Sequence, residues 1–293
     1  MGRDVAGSFE SASRLYRRAD EVLGFDLSGL CFEGPAERLN TTAASQPAIF
    51  VTSAAILAAL RDRCDGSITP QAAAGLSLGE YTALYAAGIL GFEEALVLCA
   101  KRGRAMQAAA DSRPGAMVSI IGLEAGQVES ICEKAAEGEV LKPANFNCPG
   151  QVVVSGTESA CRRVERLAPE YGAIKAIRLE VAGAFHTDMM SEAAGRLKEA
   201  IDNTPIGQPG PVKVMANVDA EFYTGPEAIA DGLLKQLTSP ILWQKSMEKL
   251  LSAGIERFYE IGPGKVLTGL MKRIDRRADI LAVNGLAALE NIA

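Results

Sequence analysis

Apolar positions recur along this chain with two periods, and the switches between them mark its elements. From Ser8 to Leu23 apolar and small residues fall at helical spacing among Arg and Glu, which predicts an amphipathic helix. Gln46 to Leu60 is apolar on nearly every face, so a buried helix is expected. Gln71 to Gly75 is a short run of small apolar residues and reads as a buried strand. Helices from about Gly79 to Gly88 and from Glu93 to Ala110 follow.

The middle of the chain changes character. Ala116 to Ile121 is strand-like and Gln127 to Ala136 helical. Val140 to Ala144 and Gln151 to Ser155 read as strands separated by Asn147-Cys148-Pro149-Gly150, a turn signal. Ser159 to Tyr171 is helical and Lys175 to Leu179 a strand. The order β-α-β-β-α-β is that of a ferredoxin-like unit. It predicts a small subdomain over 113–182, inserted into a core made of 1–112 and 183–293.

Alternation then returns. Helices are expected over Met190 to Ile201, Ala228 to Leu237, Trp243 to Ala253 and Val266 to Ile274. Strands are expected over Val212 to Ala216, Arg257 to Ile261 and Ile280 to Val283, with Pro205 to Pro211 a loop. Strands alternating with helices imply an α/β fold with a mostly parallel sheet.

Composition narrows the function classes. A chain of 293 residues can bury one large core or two modest ones. The net charge of −6 and the lack of a long basic run argue against nucleic acid or an anionic membrane as the main partner. The longest apolar stretches, such as Ala54 to Leu60, read as too short to span a bilayer. Met1-Gly2-Arg3-Asp4 carries no apolar leader, and a secretory signal is not expected. Six scattered cysteines without a C-x-x-C pair read as reduced thiols of a cytoplasmic protein. With a single histidine in the chain, no Cys/His metal site is expected.

The chemistry begins at Gly75-Leu76-Ser77-Leu78-Gly79. This is G-x-S-x-G between a strand-like run and a helix, the context a nucleophile elbow needs. Serine on so tight a turn takes a strained conformation, and side chains at the flanking glycines are expected to clash. The turn would lift the hydroxyl off the sheet and aim the Leu78 N–H at a reacting carbonyl. A serine hydroxyl needs a base. His186 is the one imidazole available, in a loop before a helix, where functional residues tend to lie. On the residues alone, a chance G-x-S-x-G match and a structural histidine stay open.

The likeness to a known family is carried by five ordered motifs. They are Gly75-Leu76-Ser77-Leu78-Gly79-Glu80-Tyr81, Lys101-Arg102-Gly103-Arg104-Ala105-Met106-Gln107, Asn145-Phe146-Asn147-Cys148-Pro149-Gly150-Gln151, Gly183-Ala184-Phe185-His186, and Glu260-Ile261-Gly262-Pro263-Gly264-Lys265-Val266-Leu267. Together, over essentially the whole chain, they resemble the malonyl-CoA:acyl-carrier-protein transacylases. The resemblance implies an α/β-hydrolase-like core with a ferredoxin-like insert. It implies Ser77 as acyl-accepting nucleophile, His186 as general base, and a backbone carbonyl of Gln236 that orients the imidazole. Arg102 would hold the free carboxylate of malonyl, and Phe185 resembles the malonyl-selective form. The implied partners are malonyl-CoA and acyl carrier protein, with no cofactor.

Two departures from the family pattern stand out. Leu76 occupies a place where many members have histidine. Nothing in the sequence matches the family's first strand and Gly-Gln-Gly-x-Gln loop, which donates one oxyanion N–H. The sequence is therefore expected to lack that segment, to be poorly stable and to be slow. Competing readings are a serine hydrolase or thioesterase of the same fold, an inactive carrier-protein-binding remnant, and an acyltransferase piece of a polyketide synthase.

Overall fold

The structure, a computed structural model, describes residues 1–292. Helices α1 (Arg3–Ser8), α2 (Glu10–Leu23), α3 (Leu27–Glu33), α4 (Ala36–Leu39) and α5 (Thr42–Arg63) precede the first strand. In α2 the residues at helical spacing, Ala12, Tyr16 and Ala19, turn inward, and Gly24 ends the helix at φ 71°. The short helices α1, α3 and α4 have too few turns to show a period, so the sequence did not announce them.

Helix α5 is longer than its apolar run suggests, and it corrects one expectation. At 22 residues it is long and apolar enough to cross a bilayer. Its apolar surface is instead spent inside the protein, where Ala48, Phe50, Val51, Ala55 and Ile56 have no exposure. A helix that is hydrophobic on every side needs neighbours on every side. Here α1 to α4 and the two helices that follow the first strand, over Gly79–Ala86 and Phe92–Ser112, supply them.

Strand β1 (Ala72–Ala73), α6 (Gly79–Ala86) and α7 (Phe92–Ser112) lead to the middle unit. That unit is β2 (Gly115–Ile121), α8 (Ala125–Ala136), β3 (Leu141–Cys148), β4 (Gln151–Thr157), α9 (Glu158–Leu167) and β5 (Lys175–Arg178). The strand order is β3-β4-β2-β5 and every pairing is antiparallel, the ferredoxin-like topology. Residue pattern explains its halves. Val118, Ile120, Val152 and Val154 alternate onto one face, where Val128, Ile131, Cys132, Ala160, Cys161 and Val164 of the two helices cover them. Strand β3 runs on through Asn147 to Cys148, so the turn is narrower than Asn147–Gly150.

The remainder is α10 (Ser191–Asp202), β6 (Lys213–Val214), α11 (Pro226–Gln236), α12 (Trp243–Ser252), β7 (Arg257–Ile261), α13 (Val266–Ile274), β8 (Asp279–Val283) and α14 (Leu286–Glu290). Ala293, the end of the expected outer core segment, lies outside the described residues. The parallel sheet differs from expectation by being in two pieces. β1 pairs with β6 and β7 with β8, both parallel, and the far side of β6 is met by a short antiparallel turn in which the Tyr223 N–H donates to the Val214 carbonyl at 3.0 Å. β1 is short because its sequence is alanine between Pro70 and Gly75, and neither alanine nor these flanks favours a strand. Both pieces lie between the same two cores. Ala73, Tyr259 and Ile261 face the larger one, while Ala72, Ala74 and Phe258 face the one around Trp243, Met247 and Met271.

The helix pair α5/α7 positions the site, and a glycine sets its spacing. A Cβ on Gly103 would come within 2.7 Å of the Thr42 carbonyl oxygen and 3.2 Å of Ala43 Cα. Alanine favours helix over glycine by up to about 1 kcal/mol. Backbone cannot yield as a side-chain tip does, and overpacking costs about 1–3 kcal/mol. Gly103→Ala is therefore expected to lower stability by about 1–2 kcal/mol net. Urea unfolding of the two proteins checks this, and an unchanged or raised midpoint contradicts it.

Candidate active site

Ser77 stands on the turn from β1 into α6. A Cβ on Gly75 would lie 2.0 Å from the Gly79 carbonyl carbon and oxygen, so the first glycine of the elbow is a steric necessity. The expectation fails for Gly79, where a Cβ would meet open space. Ser77 itself has φ 51°, a left-handed conformation costly for a residue with a side chain. Asn217, just past β6, braces it. Its Oδ1 accepts from the Ser77 N–H at 2.7 Å and its Nδ2 donates to the Gly75 carbonyl at 2.8 Å. The Leu78 side chain is 9% exposed, and its N–H follows the serine at the head of α6.

His186 is also strained, at φ 61°, and is buried. Its Nε2 lies 2.9 Å from Ser77 Oγ. Its Nδ1 donates to the Gln236 carbonyl oxygen at 2.7 Å. That carbonyl belongs to the last turn of α11, where helix carbonyls lack an intrahelical partner. The pairing fixes the tautomer with Nε2 free to take the serine proton.

Arg102 lies in the middle of α7 and is 1% exposed. Its Nη1 donates to Gln46 Oε1 at 2.7 Å, and its Nη2 donates to Ser77 Oγ at 2.9 Å and Gln236 Oε1 at 2.8 Å. Among the described residues Nε has no partner and no carboxylate pairs with the guanidinium. Tyr81 places its ring 5.6 Å away. A buried cation held only by amide and hydroxyl oxygens is suited to receive an anion.

Ser77, His186, Gln236, Arg102 and Leu78 thus meet at one place. Phe185 is half-buried and packs on Met117, Ala144 and Val153 beside the imidazole's loop. Sequence reasoning missed Gln46, Glu80, Asn217 and Tyr223. Glu80 was visible as S-x-x-E, the spacing of a helix capping box. Its carboxylate does not turn back to cap. It is fully buried and accepts from Tyr223 Oη at 2.6 Å, from Asn217 N–H at 3.1 Å and from Gln236 Nε2. The others are long-range partners that no local pattern reveals.

Burial reverses the usual order of the two titrating groups. Desolvation, then the nearby Arg102 charge, lower the His186 pKa to about 4, against the opposing pull of the Gln236 carbonyl. Desolvation raises that of Glu80 to about 7, against its hydrogen bonds and Arg102. For stability the signs are opposite. The His186 contribution is present above pH 6.5 and is lost as pH falls through about 4. The Glu80 contribution is present below pH 4.5 and is lost as pH rises through about 7.

A serine hydroxyl against a neutral, carbonyl-anchored imidazole, just past the C-terminal end of a parallel strand, is the arrangement of serine acyltransferases and hydrolases on an α/β-hydrolase-like core. Comparison with known proteins narrows the class. The acyl transferase domain family matches residues 1–285. The malonyl CoA-acyl carrier protein transacylase of Bacillus subtilis is 42% identical over 99% of this chain and 90% of its own length. An acyl carrier protein S-malonyltransferase from Vibrio cholerae superposes with a TM-score of 0.94 at 40% identity, over 99% of this chain and 94% of that one. A malonyl-transacylase solved in complex with its type II polyketide acyl-carrier protein gives a TM-score of 0.93 at 38% identity, over 98% and 92%. The chain belongs to the malonyl-CoA:acyl-carrier-protein transacylase family.

The low pKa of His186 has a measurable consequence. The imidazole stays neutral, and so able to act as base, down to about pH 4. The acid limb of kcat/KM for malonyl-CoA is expected near pH 4–5 rather than at the ordinary histidine value of about 6.5. A limb at 6.5 would show an imidazole in contact with water.

Proposed function

We propose that Ser77, His186, Gln236 and Arg102 move a malonyl group from malonyl-CoA to the phosphopantetheine thiol of acyl carrier protein through a malonyl-serine. The observation that carries the reading is the buried guanidinium of Arg102, without a carboxylate partner, 2.9 Å from the nucleophile. A general esterase has no use for a cation there. Malonyl-CoA brings a thioester and a free carboxylate together.

His186 Nε2 takes the Ser77 proton as Oγ attacks the thioester carbon. The tetrahedral oxyanion forms beside the Leu78 N–H and collapses. Coenzyme A leaves as its thiol with the proton that His186 returns, and malonyl stays on Ser77 as an ester. The carrier protein's thiol then gives its proton to His186 and attacks the ester, and the serine is regenerated. Arg102 meets the malonyl carboxylate with the parallel N–H pair that a guanidinium offers. Phe185, packed on Met117, Ala144 and Val153 beside His186, takes the malonyl-selective role that the resemblance implies.

The division into a catalytic core of 1–112 and 183–293 and a small subdomain of 113–182 belongs to this proposal. It is supported by the antiparallel sheet and its helices sharing a core of their own, from Ala116 to Val164. A cytoplasmic location also belongs here, supported by six cysteines of which none is paired with another.

Intact mass after exposure to malonyl-CoA tests the nucleophile. One malonyl adduct is expected, lost in Ser77→Ala; an adduct that persists there refutes the assignment. Arg102→Ala is expected to lose malonyl transfer far more than acetyl transfer, by on the order of 2–3 kcal/mol in transition-state binding. Equal losses would make Arg102 structural.

The oxyanion hole bears on rate. This reading assigns the Leu78 N–H as an oxyanion donor, and removal of one such donor costs roughly 10²–10³ in rate.

A further inference from the structure

We propose that Glu80 is a positioning residue for carboxylate selectivity, holding the Gln236 amide so that its oxygen, not its nitrogen, meets Arg102. The inference rests on the reading of Arg102 as the residue that binds the malonyl carboxylate, and it names what makes that arginine ready.

A glutamine amide is nearly symmetric in shape, so only its partners decide which end points where. Gln236 Nε2 uses both protons, one on the Ser77 carbonyl at 2.9 Å and one on Glu80 Oε2. The carbonyl can only accept, and Oε2 accepts whenever Glu80 is ionised or carries its proton on Oε1. The amide oxygen is thereby turned to Arg102 Nη2, 2.8 Å away. Rotated by half a turn, the amide would set donor against donor at Arg102 and acceptor against acceptor at Glu80.

Glu80 is in turn fixed from its other side. Its Oε1 accepts from Tyr223 Oη at 2.6 Å and from the Asn217 backbone N–H at 3.1 Å. A backbone N–H cannot reorient, so Oε1 must remain an oxygen with a lone pair. A proton taken up by Oε1 can go to the Tyr223 hydroxyl, which both donates and accepts, while Oε2 still accepts from Gln236. The lock therefore holds in either protonation state of the carboxyl.

Glutamine at position 80 cannot do this, although its size is right. The Asn217 N–H demands the new amide's oxygen, because an amide nitrogen does not accept. The NH₂ group is then left facing Gln236 Nε2. Relief of that clash turns the Gln236 amide, and its nitrogen meets the guanidinium. Arg102 loses one of the two amide oxygens that hold it and is pushed from its place.

The test is the ratio of kcat/KM for malonyl-CoA to that for acetyl-CoA in four proteins: parent, Glu80→Gln, Arg102→Ala and the double variant. Glu80→Gln is expected to lower the ratio by about tenfold or more, carried by KM for malonyl-CoA, since one charge-assisted bond is at stake. In the Arg102→Ala background it should leave the ratio unmoved, because the two act on one contact. Parent-like ratio in Glu80→Gln, or an equal loss for both substrates, overturns the proposal. If Arg102→Ala itself keeps the ratio, the reading of Arg102 fails first, and the two failures are distinct. Should Glu80→Gln not fold, Gln236→Met serves: it keeps the backbone carbonyl for His186 and removes the amide. It too should lower the malonyl:acetyl ratio, and a ratio like that of the parent would overturn the proposal.

Discussion

Everything around the nucleophile is arranged to keep one positive charge buried without neutralising it. An ion of that size taken out of water costs several kcal/mol unless its protons find partners. The guanidinium of Arg102 finds oxygens on Gln46, Ser77 and Gln236, contributed by α5, the elbow and α11. A carboxylate at any of those places would stabilise it more, and would fill the position a substrate carboxylate needs. The nearest acid, Glu80, is placed one hydrogen bond further off, behind the Gln236 amide. The cation is satisfied enough to stay folded and remains free to bind.

The same economy of contacts explains the backbone. Two residues with side chains, Ser77 and His186, both sit at positive φ. Conformations of that kind persist only when their surroundings over-determine them. Asn217 holds the elbow through two bonds, to Gly75 and to the Ser77 N–H. Gln236 binds the Ser77 carbonyl with its side chain and His186 with its backbone carbonyl. A single residue at the end of α11 therefore fixes nucleophile, base and cation relative to each other. That is more than the carbonyl role that the family resemblance implies for it.

How much of this could be read from the sequence follows from the range of each interaction. The elbow glycines, the serine and the lone histidine are local or unique, and all were named from the residues. The ferredoxin-like unit was legible because its strands alternate and its helices have a clear apolar stripe, as Val118, Ile120 and Val164 show. Arg102 was not legible from its own helix, where it looks like Arg104 beside it; only the family resemblance separated the two. Gln46, Asn217 and Tyr223 lie far from Ser77 along the chain, and no period or motif reveals such pairings. The split of the parallel sheet was missed for a different reason. An alternation of helices and strands predicts a sheet without saying how many residues of each strand will pair, and in β1 only Ala72 and Ala73 do.

The charge balance of the pocket closes the argument. In water a carboxylate titrates below an imidazole; here burial raises Glu80 to about 7 and lowers His186 to about 4. Both groups are uncharged in the form that burial favours, so between these values Arg102 is the one charge in the cluster. Its field acts on both neighbours in the same direction, lowering each pKa. On His186 this adds to desolvation and keeps the base free of protons. On Glu80 it opposes desolvation and draws the carboxylate toward its ionised form. A bound malonyl carboxylate would offset the field at both places, letting the imidazole become more basic at the moment it must accept the serine proton. In the proposed reaction the cation would therefore act on the base as well as on the substrate, and an acyl group without a carboxylate would leave that second effect unused.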